Sequence, residues 1–260
     1  MKRGEKSDAG GAGAPGTRRL VARDVSVHFE GVKAIDGVTF EIDRGEIVGL
    51  IGPNGAGKTT LVNVISGFQP PGGGAVELDD EPITSWSPAR RARAGIARSF
   101  QGARLFEGLS VRENIEAGAV ASGLSLRRAQ VRADELIEFF GLGDRAEVEA
   151  GALPHGIARR LGIARALSTH PSFLLLDEPA AGLDDSETES LVELLRDVRR
   201  DFSLALAVIE HDVPMIMSLS DRVHVLHHGQ TLAVGTAAEV SSDRTVIDAY
   251  LGEASGAGGH

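Results

Sequence analysis

The stretch Gly52-Pro53-Asn54-Gly55-Ala56-Gly57-Lys58-Thr59-Thr60 decides the fold. Gly52, Gly57, Lys58 and Thr59 satisfy G-x-x-x-x-G-K-[ST], the phosphate-cradling P-loop. Its flanks fit the motif. Residues 46–51 read Glu-Ile-Val-Gly-Leu-Ile, a short apolar and β-branched run that predicts a buried strand. Downstream, Leu61, Val64 and Ile65 fall at helical spacing. A strand, a glycine loop and a helix together turn backbone N–H groups and the positive end of a helix dipole onto an anion. In that setting Lys58 reaches the β- and γ-phosphates of a nucleotide, and the Thr59 hydroxyl holds Mg²⁺. A chain with 33 glycines produces Gly-x-Gly clusters by chance, but chance does not supply the strand and the helix.

The bulk numbers narrow the class. At 260 residues, 42% hydrophobic and 25% charged, the chain has the composition of a globular protein with ample core. No apolar run approaches the roughly 20 residues needed to span a bilayer. Residues 1–17 are small, polar and glycine-rich, so they predict a disordered tail, and they contain no apolar segment of a secretory signal. The absence of cysteine excludes disulfides and thiolate metal sites and suits a reducing cytoplasm. A net charge of −10 and an aromatic content of 4% count against a nucleic-acid partner, which needs basic surface and stacking platforms.

The segments alternate. Leu20 to Phe29 and Val32 to Phe40 predict strands, the second interrupted at Gly37. Gln69-Pro-Pro-Gly-Gly-Gly74 predicts a turn rather than a second phosphate loop, since no Lys-Ser/Thr follows. Ala75 to Leu78 is a short strand, and Ser87-Pro88 an N-cap with proline at the first helical position. Arg90, Arg91, Arg93 and Arg98 read as a solvated helix face balancing the acidic total, with a phosphate- or lipid-binding patch as the alternative. From about residue 102 to 167 the pattern is helical: Val111, Ile115 and Val120, then Val131, Leu136, Ile137 and Phe140, then Leu153, Ile157, Leu161 and Ala164. The α/β rhythm resumes at Phe173. Residues 173–176 and 204–209 are strands, 186–202 and 213–218 helices, 222–226 and 231–234 a hairpin, and 245–251 a last helix. The expected fold is α/β, with a mainly parallel sheet, an antiparallel β region and an inserted helical subdomain within one domain over 18–252. Residues 253–260 are expected to form a flexible tail.

A second motif adds chemistry. Phe173-Leu-Leu-Leu176 runs directly into Asp177-Glu178-Pro179, a buried strand that delivers carboxylates at its C-terminal end. That is where ligands bind in an open α/β sheet. Asp177 can hold Mg²⁺, partly through water, and Glu178 can orient and polarise an attacking water.

With both motifs in hand, the chain from Arg19 to Leu251 resembles the nucleotide-binding subunits of ABC transporters. The resemblance implies further roles. Phe29 falls where the family stacks an aromatic on adenine. Gln101, in Arg98-Ser-Phe-Gln101, falls at the glutamine that senses Mg²⁺ and the transmembrane partner. Leu153 and Gly156 fall in the Leu-Ser-Gly-Gly-Gln signature, Asp184 in the D-loop, and His211 at the switch histidine that contacts the γ-phosphate. His155, His227 and His228 read as turn or surface residues. The family's geometry implies a second ATPase subunit, whose signature helix closes each ATP, and permease partners in a membrane. It also implies a peripheral position on the inner face of the cell membrane. The segments at His28–Ile35, Arg98–Phe106, Leu176–Leu183 and Ile247–Glu253 are similar to the branched-chain amino-acid importer ATPases, which work as heterodimers alongside a substrate-binding protein. The lipopolysaccharide-export ATPase and the non-transport ABC ATPases are the alternatives.

The signature departs from the family at Pro154 and Ile157, which replace Ser and Gln. Proline offers neither hydroxyl nor N–H to a phosphate. One consequence would be a weakened signature and an asymmetric heterodimer. The other account, which we favour, is that the helix N-terminus supplies most of the interaction, so the substitutions are tolerated.

Overall fold

The computed structural model describes residues 19–29, 31–99 and 104–249. Gln101 and both predicted tails therefore lie outside the described residues. β1 (Arg19–Phe29) and β2 (Val32–Asp43) pair antiparallel, with register shifts between Ala22 and His28 opposite the expected break at Gly37. β3 (Ile47–Ile51) runs into the glycine loop and then α1 (Lys58–Ser66). β4 (Gly73–Leu78) and the two-residue β5 (Glu81–Pro82) complete a four-stranded antiparallel sheet ordered β2-β1-β4-β5. α2 (Pro88–Arg93) and β6 (Ile96–Ser99) follow. Three helices then come without an intervening strand: α3 (Val111–Ala121), α4 (Leu126–Phe139) and α5 (His155–Leu167). β7 (Phe173–Asp177), α6 (Asp185–Phe202), β8 (Ala205–Ile209), α7 (Val213–Leu219), β9 (Arg222–His227), β10 (Gln230–Gly235) and α8 (Ala237–Ser242) finish the named elements.

The second sheet has six strands in the order β10-β9-β3-β8-β7-β6, parallel except for the β9–β10 hairpin. Every residue of β3, β7 and β8 is buried, as expected of parallel strands covered on both faces. Their pleat divides them between two cores. Ile47, Ile51, Leu174, Leu176, Leu206 and Val208 pack with the helices. Val48, Leu50, Phe173, Leu175, Ala207 and Ile209 pack with α1 and the antiparallel sheet. β3 is therefore clamped from both sides, and the loop at its C-terminal end starts from a rigid base.

Some expectations need correction. Val120 and Val131 do not face the helical core; they are exposed, because Ile115, Ala119, Ala133, Leu136 and Ile137 fill the inward stripes of α3 and α4. The arginine face is not uniformly solvated. Arg91 is fully buried and donates to Val64 O at 2.6 Å, Ile65 O at 2.7 Å and Thr84 O at 2.8 Å, thereby capping the C-terminal turn of α1. Arg98 lies on β6, its side chain 6% exposed, in an ion pair. The closing helix covers residues 244–249, and α8 precedes it where no helix was expected.

Candidate active site

The loop that opens the sequence reading wraps a cavity of about 200 Å³ at the C-terminal edge of β3. Asn54, Gly55, Ala56, Gly57, Lys58, Thr59 and Thr60 line it, together with Ala34 from β2 and Glu178 from the end of β7. Glycine is required here by space as well as by torsion. A Cβ on Gly57, at φ +100°, would lie 2.5 Å from Ala34 O, and one on Gly52 would lie 2.2 Å from Leu226 O. The loop is thus pressed between β2 and β9. α1 starts on Gly57 with no side-chain cap, which leaves the helix N-terminus open to the cavity. Lys58 is buried and donates to Gly52 O at 2.6 Å and Pro53 O at 2.9 Å, so its ammonium bridges the loop's own start. Pro53 shapes the loop without lining the cavity.

β7 delivers the two carboxylates differently. Asp177 ends the strand, 7% exposed, and receives Arg98 Nη2 at 2.6 Å. Arg98 Nη1 donates to Asn63 Oδ1 at 2.6 Å, tying β6, β7 and α1 together. Glu178 has φ +49°, a left-handed conformation that a non-glycine residue holds only under surrounding constraint. The constraint includes its own N–H, which donates to Ile209 O at 2.9 Å. This turn re-aims the chain after the strand and puts Glu178 against the phosphate cradle while Asp177 stays under it.

The other expected residues are distributed. Phe29 ends β1, 47% exposed. His211 follows β8 with its side chain 63% exposed, its Nδ1 3.6 Å from Glu210 Oε2. Leu153 and Gly156 do not join the P-loop cavity. Gly156 lies in a separate cavity of about 240 Å³, lined also by Pro154, Ile157, Arg159, Leu183 and Glu187, where the N-termini of α5 and α6 meet; Leu153 packs on the core just before it. Pro154 is the N-cap of α5 and gives it no side-chain cap. Asp184 caps α6: its carboxylate accepts from Glu187 N at 2.8 Å while Glu187 accepts from Asp184 N at 3.1 Å. His155 is exposed beside Gly182 of the same loop.

Three participants were not singled out by the sequence reading. In sequence, Arg98 reads as one of a run of surface arginines. Arg159 sits on α5, buried, and donates to Ala181 O at 3.0 Å. Glu210 is fully buried between the Glu178 loop and His211. The available signal was position: Glu210 directly follows five buried residues of a strand, a place where a carboxylate must have partners.

A P-loop on a mainly parallel sheet, facing an acidic pair at the end of a neighbouring strand, defines a nucleotide-binding P-loop ATPase. The family model described as "ABC transporter" matches residues 35–181. A second, described as "Branched-chain amino acid ATP-binding cassette transporter", matches 230–255. The chain is 41% identical over 250 residues to the high-affinity branched-chain amino acid transport ATP-binding protein LivG of Escherichia coli (strain K12), covering 90% of this chain and 98% of that one. A crystal structure of a nucleotide-free ATP-binding cassette from an ABC transporter superposes with a TM-score of 0.81 at 28% identity, over 90% of this chain and 98% of that chain. A cassette in a dimeric, post-hydrolysis state bound to ADP and Pi gives 0.75 at 25% identity, over 84% and 98%. The chain belongs to the ABC transporter family, as an ATP-binding and ATP-hydrolysing subunit.

Proposed function

We propose that this ATPase powers the import of branched-chain or similar amino acids. The similarity to LivG along 98% of that protein and the match of residues 230–255 to the branched-chain cassette model support that substrate class. The observation that carries the enzymatic reading is the shared cavity: Glu178 stands against Lys58, Thr59 and Thr60. In this reading the N–H groups of the loop from Gly52 to Thr60, with Lys58, bind the phosphates, and Phe29 supports the adenine. Glu178 orients and polarises the attacking water, and His211 faces the γ-phosphate. Thr59 and Asp177, with Gln101, would hold Mg²⁺, which supplies neutralisation of phosphate charge. The cradle fits the phosphates, since its glycine positions exclude side chains and its helix N-terminus is open, and the Thr59 hydroxyl and Asp177 carboxylate are oxygen donors of the kind Mg²⁺ takes.

In this reading Leu153 and Gly156, with Asp184 of the neighbouring loop, serve a second ATPase subunit, because none of them lines the chain's own P-loop cavity and Gly156 lines a separate one. A heterodimer is favoured, with permease subunits and, indirectly, a substrate-binding protein, and with no nucleic acid. No helix among the described residues is long and apolar enough to cross a membrane, so attachment to the inner face of the cell membrane would run through the permeases. A groove of about 480 Å³ suits a permease segment. It runs between α2 and β6 on one side and α3 and α5 on the other, and Phe68, Phe106, Arg98 and Arg104 line it. Arg98 and Arg104 bracket the segment that contains Gln101.

The test is Glu178→Gln. ATP binding should persist within about twofold while hydrolysis falls at least about a hundredfold. Hydrolysis at the wild-type rate removes Glu178 from the reaction.

A further inference from the structure

We propose that Glu210 is a positioning residue for ATP hydrolysis: its buried carboxylate locks the loop that carries Glu178 to the loop that carries His211. The proposal rests on the assignment of Glu178 and His211 above and adds a residue that the family motifs do not include.

β8 is a continuous buried run ending at Ile209, and Glu210 follows it with no solvent exposure. A carboxylate in such a place is costly unless it is fully engaged. Both of its oxygens are. Oε1 accepts from Ala180 N at 2.6 Å, and Oε2 accepts from His211 N at 3.2 Å. Ala180 lies one proline beyond Glu178, whose own N–H bonds Ile209 O at 2.9 Å. Two crosslinks, one backbone and one through Glu210, therefore hold the Glu178 turn against the end of β8. The same carboxylate holds the main chain of His211 and lies 3.6 Å from its Nδ1.

The third element is α5. Its Arg159, 4% exposed, donates to Ala181 O at 3.0 Å, and its Nη1 has no hydrogen-bond partner among the described residues. Arg159 is close enough to Glu210 and Glu178 to feel both charges, which counter the loss of hydration that lowers its own pKa. Burial pushes the Glu210 carboxyl up; the Ala180 and His211 N–H groups and His211 itself oppose this, and Glu178 adds to it. An apolar side chain would fill the space at less cost. What it could not do is accept from two loops at once. Glu210 thus fixes the relative placement of Glu178 and His211, and Arg159 ties the helix whose N-terminus is the signature to the same bracket.

The experiment compares Glu210→Gln, His211→Ala and the double variant in the transporter assembled with its permeases and second ATPase subunit. The readouts are kcat and the ATP dissociation constant. Glutamine keeps one acceptor but presents an NH₂ group to the other N–H, so the bracket loses one arm. Expected are a fall in kcat of about ten- to a hundredfold for Glu210→Gln and an ATP affinity within about twofold of wild type. The double variant should lose far less than the product of the single losses. A fold-only role would lower active fraction and binding together and would multiply with His211→Ala. That pattern, or wild-type turnover in Glu210→Gln beside an impaired His211→Ala, overturns the inference alone. Wild-type turnover in His211→Ala overturns the His211 assignment beneath it. Should Glu210→Gln fail to fold, Arg159→Met is assayed in its place, and an unchanged kcat overturns the proposal.

Discussion

Arg91 gives the most informative single perturbation of the fold around the site. It is 1% exposed, and its guanidinium reaches three carbonyls, two of them in the last turn of α1. Hydrogen bonds to a charged group contribute about 1.5–3 kcal/mol each, so three would sum to about 5–9 kcal/mol if additive. Two features reduce that figure. Burial pushes the Arg91 pKa down to about 10 from 12.5, which corresponds to about 3.5 kcal/mol of lost hydration for the charged form. Val64 O also keeps the N–H of Gly67 at 3.1 Å when Arg91 is removed. The expected loss for Arg91→Met is therefore about 2–4 kcal/mol, or a Tm lower by roughly 5–15 °C. Urea denaturation of the full chain measures it. Arg91→Lys keeps the charge but not the planar fork, so about half of that loss should remain. A loss below about 0.5 kcal/mol in Arg91→Met, the range of an ordinary surface substitution, would show the side chain to be solvated and refute the capping account.

Two other outcomes follow from the same reasoning. Burial, with a smaller push from Arg222, lowers the pKa of His224 to about 4 from 6.5. The unfolded chain then takes up the proton first as pH falls, so stability is lost from about pH 6.5 down toward 4, by about 2 kcal/mol at pH 5. His224→Phe should flatten that slope, since Phe40 can pack against the ring and the exposed Thr231 hydroxyl can turn to water; an unchanged slope in denaturation between pH 7 and 5 would locate the titration elsewhere. Pro154→Ser with Ile157→Gln places a capping box at the start of α5, which should stabilise the chain by about 1 kcal/mol. Its turnover in the complete transporter should change less than twofold; a several-fold rise would mean that the native signature is weak.

The residues that sequence reading recovers are those whose chemistry is set by immediate neighbours. The P-loop is nine consecutive residues, and Asp177 ends a strand that is apolar at all its other positions with Glu178 directly after it, so their placement follows from local pattern. The arginines show the opposite case. Arg90 is exposed and stacks on half-buried Trp86 at 3.9 Å, as a surface residue should. Arg91, adjacent in sequence, turns inward because the C-terminal carbonyls of α1, some 26 positions earlier, meet α2 there. Nothing in the arginine-rich run marks which member does so. Glu210 and Arg159 were hidden for the same reason: each is defined by contacts with residues 180 and 181, far away in the chain. Val120 and Val131 mislead differently, since alanines at neighbouring positions satisfy the narrow α3–α4 contact and leave the larger side chains outside.

The caps of the helices carry the functional division further than any motif match. α2, α3, α6, α7 and α8 begin on Ser87, Ser110, Asp184, Asp212 and Thr236, and each of these side chains accepts an N–H from its own first turn. Those N-termini are satisfied within the chain. α4 begins on Ser125, whose hydroxyl could accept such a bond but makes none. α1 and α5 begin on Gly57 and Pro154, whose side chains hold no acceptor at all. These two ends open onto the P-loop cavity and the signature cavity, the two places where the proposed reaction needs donors for phosphate. At Pro154 a serine would cap α5 at a gain of about 1 kcal/mol, while at Gly57 the approach of Ala34 O leaves no room for any side chain. Leaving both open, and in separate cavities, is the pattern expected if one end serves the chain's own nucleotide and the other serves a neighbour's. On this argument Pro154 preserves an open helix end that a serine would partly close, which is why the capping-box variant should gain stability without gaining turnover.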